Sequence, residues 1–160
     1  MGYTIRQTSR QDWERLRELR LAALRDPVAP VAFYEPYEEA VRLTRGEWER
    51  RASGRETVTF IGEAENGSWA GMVGAFAKRG LVYVVGVYML PEHRGTGLAG
   101  QLMRAAIDWG QGREVRLRVH ENNPRAARFY ESLGFRPTGS SDTDPRDPAF
   151  RAFELALRPV

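Results

Sequence analysis

The residues best suited to chemistry form the run Arg94-Gly95-Thr96-Gly97-Leu98-Ala99-Gly100. It lies between an apolar segment ending at Met89-Leu90-Pro91 and the start of a helical pattern. Glycines let a ligand approach the backbone closely. The first amides of a helix have no intrahelical partners, and with the helix dipole they form an anion site suited to phosphate. Gly95 to Gly100 literally matches the dinucleotide fingerprint, and Glu121 follows at roughly the 20-residue distance of its ribose-binding acid. Three features count against that reading. Pro91 to Arg94 intervenes between the strand and the glycines, only 60 residues follow Gly100, and the upstream strands look like hairpins rather than crossovers. A nucleotide-triphosphate loop fits worse, because no Gly-Lys-Ser/Thr occurs. A turn whose glycines serve geometry alone is the remaining alternative.

These residues need elements to hold them. Tyr3 to Gln7 alternates like a strand, and Ser9 can cap a helix carrying Trp13, Leu16, Leu19, Ala23 and Leu24 on one face. Asp26-Pro27 stops that helix. Val28 to Tyr37 reads as an irregular, partly helical lid. Thr44 to Glu47 has capping-box spacing and predicts a helix to about Ala52. Three strands follow, Thr57 to Ala64, Trp69 to Ala77 and Leu81 to Leu90, joined at Asn66-Gly67 and Arg79-Gly80. A helix from Gly97 to Gly110 carries Leu98, Leu102, Ala105, Ala106 and Trp109 at burial spacing. Val115 to Val119 reads as a strand. Asn123-Pro124 opens a further helix, which Gly134 ends. Phe135 to Thr138 and Phe150 to Leu157 read as two final strands, with a polar loop from Gly139 to Pro148 between them. The order is a mixed α+β pattern with one βαβ crossover.

Bulk properties narrow the partners. Hydrophobic residues make up 42% of 160 residues, enough for one domain with a sizeable core. Lys and Arg number 24, nearly all arginine, for a net charge of +3, and they are interleaved with acids. Nucleic acid is therefore not an expected partner, whereas a phosphate-bearing ligand suits the mild excess. The absence of cysteine excludes disulfides, thiolate metal sites and a cysteine nucleophile. His93 and His120, the two histidines, predict no metal site. No apolar run approaches the ~20 residues of a membrane span, so a cytoplasmic protein without membrane partners is expected.

Arg94-x-x-Gly97-x-Ala99 resembles the acetyl-CoA signature of the GNAT (Gcn5-related N-acetyltransferase) superfamily. The strand ending in Met89-Leu90-Pro91-Glu92 looks like that family's strand before the loop. Asn123-Pro124-Arg125-Ala126-Ala127-Arg128-Phe129-Tyr130-Glu131-Ser132-Leu133-Gly134-Phe135 resembles its second motif, about 30 residues on. The resemblance covers nearly the whole chain and implies a single N-acetyltransferase domain over residues 1–160. The implied fold is a central, mostly antiparallel seven-stranded sheet with a parallel V-shaped splay, flanked by about four helices.

The implied activity is acetyl transfer from acetyl-CoA to a primary amine of a small molecule, peptide or protein, by direct attack in a ternary complex, with no metal. The resemblance places the pyrophosphate on amides from Gly95 through Thr96, Gly97, Leu98 and Ala99 to Gly100, with Arg94 adding charge. It pairs the pantetheine arm with the strand edge at Val87, Tyr88 and Met89, and lets a backbone amide near Met89 or Leu90 polarise the thioester carbonyl. Asn123 would contact the pantetheine or cap its helix. Tyr130 would protonate the departing thiolate, or pack as a core aromatic beside Phe129.

Many family members place a basic carboxylate on the strand before the loop, and none stands between Leu81 and Leu90. Tyr83 falls near that position. Glu63, His120 and Glu35 are weaker candidates, and water could carry the proton instead. His93 reads as solvated surface. Phe33, Tyr34 and Tyr37 would cover the acceptor pocket or pack as core. Asp142, Asp144 and Asp147 read as a solvated acidic loop. Dimers are common in the family, so a homodimer stays open. Two alternatives to the transferase remain: an acyl-CoA-binding module without turnover, and an NAD(P)-binding oxidoreductase.

Overall fold

The computed structural model describes residues 2–159. A seven-stranded sheet runs in the order β1-β2-β3-β4-β5-β7-β6. Its strands are β1 (Thr4–Gln7), β2 (Val58–Glu63), β3 (Trp69–Lys78), β4 (Leu81–Met89), β5 (Val115–His120), β6 (Arg136–Asp144) and β7 (Asp147–Leu157). Every neighbouring pair is antiparallel except β4 with β5. The helices are α1 (Trp13–Arg25), α2 (Ala29–Ala32), α3 (Tyr37–Ala40), α4 (Arg45–Ser53), α5 (Leu98–Trp109) and α6 (Pro124–Ser132). Four of them exceed two turns; α2 and α3 are single turns inside the expected lid.

Each face of the sheet has its own core. Leu98, Leu102, Met103 and Ala106 of α5 pack with Val73, Val82, Val84 and Val115, and Tyr130 of α6 joins them. Leu16, Leu19, Ala23 and Leu24 of α1 pack with Trp48 of α4 and with Ile61, Met72 and Tyr88. Met72 and Val73 fall in opposite cores because successive strand residues face opposite sides. Burying each of these leucines contributes about 1.5–3 kcal/mol relative to exposure. Gly62 permits the close docking of α5, since a Cβ there would meet Leu98 at 2.5 Å.

Local signals set most boundaries. Thr44 Oγ1 accepts from the Glu47 amide at 3.2 Å and starts α4. Arg79 and Gly80, with φ of 54° and 80°, form the tight turn between β3 and β4. One expectation is corrected. Gly139 to Pro148 is a β-hairpin rather than a loop, turning at Pro145-Arg146. β6 is an edge strand paired only with β7, so most of its polar residues face water at no cost. A bulge between Pro137 and Ser141, with Gly139 at φ 93°, lets this glycine-containing stretch stay in the ladder.

Candidate active site

β4 creates the site by leaving the sheet. Gly74 pairs with Val85 and Met72 with Tyr88, so Val73 faces both Gly86 and Val87. Gly86 occupies this bulge at φ 61°. Beyond it β4 diverges from β5, and the two strands share only the pairs Val82–Val115 and Tyr83–Arg116. β5 continues to His120 paired with β7 alone. A cleft of about 1130 Å³ fills the gap, lined by β4, β5, the glycine loop, the first turns of α6 and part of the lid.

The free edge of β4 has a defined polarity. The Leu90 amide donates to the Ala70 carbonyl on β3 at 2.9 Å. Alternation along an antiparallel ladder then turns the Met89 N–H and C=O the other way, toward the cleft. The Met89 carbonyl indeed accepts from Arg94 Nε at 3.1 Å. Of the two amides considered for a thioester carbonyl, Leu90 is thus excluded and Met89 is open.

The glycine loop forms an open, shallow cradle. Gly95 and Gly97 adopt φ of 75° and 87°, and a Cβ on either would meet nothing within 4 Å. Thr96 Oγ1 donates to the His93 carbonyl at 2.6 Å, fixing the turn. Among the described residues, no acceptor binds the amides of Ala99 or Gly100 in the first turn of α5, whereas the next amide, Gln101, donates to Gly97 at 3.2 Å.

The Arg94 side chain, expected to add charge at the loop, is engaged by the protein itself: Nη2 donates to Asp26 Oδ2 at 2.8 Å. Asp26 follows α1 and has a side chain only 6% exposed, so it requires a cation. The Tyr88 hydroxyl donates to the same oxygen at 2.9 Å. Burial alone would raise the Asp26 carboxyl, but the Val28 amide, Tyr88 and Arg94 outweigh it and hold it below the usual range. Burial and the bond to Asp26 push the Tyr88 phenol up to about 12. Arg94 therefore ties the end of β4 to the end of α1.

The remaining candidates divide by location. Tyr130 lines the cleft between Phe129 and Phe135, at ring distances of 5.3 and 6.0 Å. Burial pushes its phenol well up, so it stays protonated at neutral pH. Asn123 caps α6, its Oδ1 accepting from the Ala126 amide at 3.3 Å, and also lines the cleft. Tyr83 stacks on Phe76 at 5.3 Å on the last rung shared by β4 and β5. Val87 and Tyr88 line the cleft through the bulged stretch.

The alternative bases are occupied. Glu63 lies outside the cleft and holds Arg6 at 2.6 Å. Glu35 lines it but accepts from Arg20 and twice from Arg51, at 3.0, 3.1 and 2.6 Å. Burial alone would raise its carboxyl; the two guanidiniums lower it overall. His120 Nδ1 accepts from the Asn122 amide at 3.0 Å, which leaves the proton on Nε2 to meet Asp144 at 3.2 Å. Both of its ring nitrogens are used.

Two other expectations at the rim are revised. His93 is half-buried rather than solvated, with Nδ1 2.8 Å from the Tyr3 hydroxyl. Asp144 is buried rather than solvated, held by Arg146 and His120. Asp142 and Asp147 are exposed as expected, Asp142 paired with Arg118 and Asp147 accepting from the Ala149 amide at 3.0 Å. Phe33 and Tyr34 line the cleft, whereas Tyr37 packs under Arg25. Asp26 and Arg20 went unnoticed in sequence, because each read only as part of the α1 helix or its end. Among the described residues no cluster of three His, Cys, Asp or Glu could hold a metal, and no helix is long and apolar enough to cross a membrane.

A family model described as the acetyltransferase (GNAT) family matches residues 13–135. The chain belongs to this family. An uncharacterised N-acetyltransferase of Mycobacterium tuberculosis is 45% identical over 58 residues, covering 34% of this chain and 36% of that protein. The mycothiol acetyltransferase of Thermobispora bispora is 49% identical over 65 residues, 39% of this chain and 21% of that protein. The matched stretches thus span about a third or less of these relatives. The crystal structure of PaiA N-acetyltransferase from Thermoplasma acidophilum in complex with coenzyme A superposes with a TM-score of 0.73, at 21% identity over 100% of both chains.

Proposed function

We propose that the chain is one domain that transfers an acetyl group from acetyl-CoA to a primary amine. The observation that carries this reading is the free edge of β4, with its bulge at Gly86, opening beside the Ala99 and Gly100 amides of α5, which have no acceptor among the described residues; the Leu98 amide is taken by Thr96 Oγ1 at 3.4 Å. A peptide-like arm fits the strand edge, and a pyrophosphate fits the amides of Ala99 and Gly100. The coenzyme A complex of the PaiA acetyltransferase supports that choice of ligand.

The residues divide the work as follows. The strand edge from Val87 to Met89 aligns the thioester. The Met89 N–H donates to its carbonyl oxygen and stabilises the charge that builds there. The amine nitrogen bonds to the carbonyl carbon, the carbon–sulfur bond breaks, and Tyr130 gives its proton to the departing thiolate. Ordinary values of roughly 10 for tyrosine and 8.5 for a thiol make that transfer uphill. Burial steepens the slope, so Tyr130 acts by sharing its proton as the bond breaks. With Glu35 and His120 both engaged, the amine loses its proton to water, which Tyr83 on the cleft wall anchors or relays.

Incubation with acetyl-CoA and a mixed amine panel should release free thiol, and coenzyme A should raise the thermal midpoint where NAD does not. Protection by NAD alone would refute the reading. A second reading, an acyl-CoA-binding module without turnover, is favoured because no carboxylate in the cleft is free among the described residues. Coenzyme A binding with no thiol release on any amine would select it.

A further inference from the structure

The charges around the cleft are one-sided. Among the described residues six cations line it, Arg20, Lys78, Arg79, Arg94, Arg118 and Arg125, against one carboxylate, Glu35. Arg94 and Arg118 are matched by Asp26 and Asp142. Glu35 spends both oxygens on Arg20 and Arg51, so two guanidiniums share one carboxylate. Among the described residues, no carboxylate in the cleft is left to receive a cationic acceptor.

Arg20 stands apart from the other cations. It projects from α1 beneath the lid with a side chain only 19% exposed. Nε is anchored to Glu35 at 3.0 Å, and the guanidinium lies over the Phe33 ring at 4.8 Å. Those contacts fix the fork and leave Nη1 and Nη2 without an acceptor among the described residues. Nη1 lies 3.7 Å from where a Cβ on Gly86 would be. The free half of the fork thus sits at the bulge, next to the strand segment assigned to the thioester. A planar fork with paired N–H groups suits a carboxylate.

We propose that the acetyl acceptor is a small amine carrying a carboxylate close to its amino group, as an α-amino acid does, and that Arg20 binds this carboxylate beside Gly86. The assignment rests on the transferase reading above. The short distance from Arg20 to the bulge demands that carboxylate and amine be separated by few bonds. It disfavours polyamines, whose extra ammonium groups would meet a cationic wall.

The test pairs a panel of α-amino acids with amines that lack only the carboxylate, assayed by thiol release from acetyl-CoA. Each carboxylate-bearing partner should show the higher kcat/KM, on the order of tenfold to a hundredfold, as a charge-assisted hydrogen bond provides. Arg20→Gln should erase most of that ratio through KM while leaving coenzyme A affinity in place, and Arg20→Lys should restore part of it. The wild-type ratio needs no variant, so misfolding of either cannot hide the answer. Equal or better activity on the decarboxylated amines or on spermidine would overturn the assignment while leaving the transferase standing. A ratio unchanged in Arg20→Gln would overturn the role of Arg20. Thiol release with no amine at all would overturn the transferase reading and this assignment with it.

Discussion

Tyr130 is the residue whose chemistry and packing are hardest to separate, because it is both a core side chain and part of the cleft wall. Replacing it with phenylalanine preserves the contacts with Phe129 and Phe135 and removes only the proton donor. Tyr130→Phe should lower kcat on the order of a hundredfold with coenzyme A affinity retained, measured by turnover and calorimetry. Parallel loss of both would make it a packing residue. Its position was legible, since the spacing from Asn123 placed it on α6. The role of Arg94 was not. A basic residue beside a phosphate loop suggests a phosphate contact, but its partner Asp26 lies 68 residues away and the pairing depends on burial at the end of α1. Arg20 gave no local signal, because a helix heptad shows which face is apolar and not which arginine folds over a ring.

At the scale of elements, the bulge in β4 decides where the sheet opens. Gly86 at φ 61° meets no steric obstacle to a methyl group, its nearest contact being an ordinary 3.7 Å. The cost of a side chain there is conformational, roughly 1–2 kcal/mol. Gly86→Ala should lower the thermal midpoint by several degrees and weaken coenzyme A binding as the strand relaxes toward β5. Undiminished coenzyme A affinity would show that the splay is held by other contacts. The hairpins around β3 were readable because Asn-Gly and Arg-Gly turns impose their own geometry. β6 was not, because Gly-Ser-Ser-Asp-Thr-Asp reads as a loop until β7 supplies its hydrogen bonds.

Across the whole molecule, the first strand is fastened by charge. Arg6 on β1 reaches Asp12 at 2.8 Å and Glu63 on β2 at 2.6 Å. The Arg6 hydrogen bonds lower the Asp12 carboxyl from 3.8 to about 2. A depressed carboxyl stabilises the folded state above the unfolded value near pH 4, and that stability drains as pH falls toward 2. Arg6 is 37% exposed, so screening trims the contribution to about 1 kcal/mol. Asp12→Asn should therefore unfold more easily than the parent at pH 6, with the gap closing between pH 4 and pH 2 in thermal melts. A gap constant with pH would assign the loss to packing rather than to the carboxylate's charge. The order of strands and helices was legible along the chain because each element carries its own period and stops. The pairing of distant strands and the charge pairs between them became visible only in three dimensions.

The two rungs shared by β4 and β5 carry a consequence for how the molecule transmits force. Four strands lie on one side of that seam and three on the other. With so short a joint, the halves can twist against each other more easily than strands within either half. A ligand that lays its amides along β4 fills the gap as a strut. Occupancy should then be felt as slowed amide exchange in β5, across the opening from the hydrogen bonds that cause it.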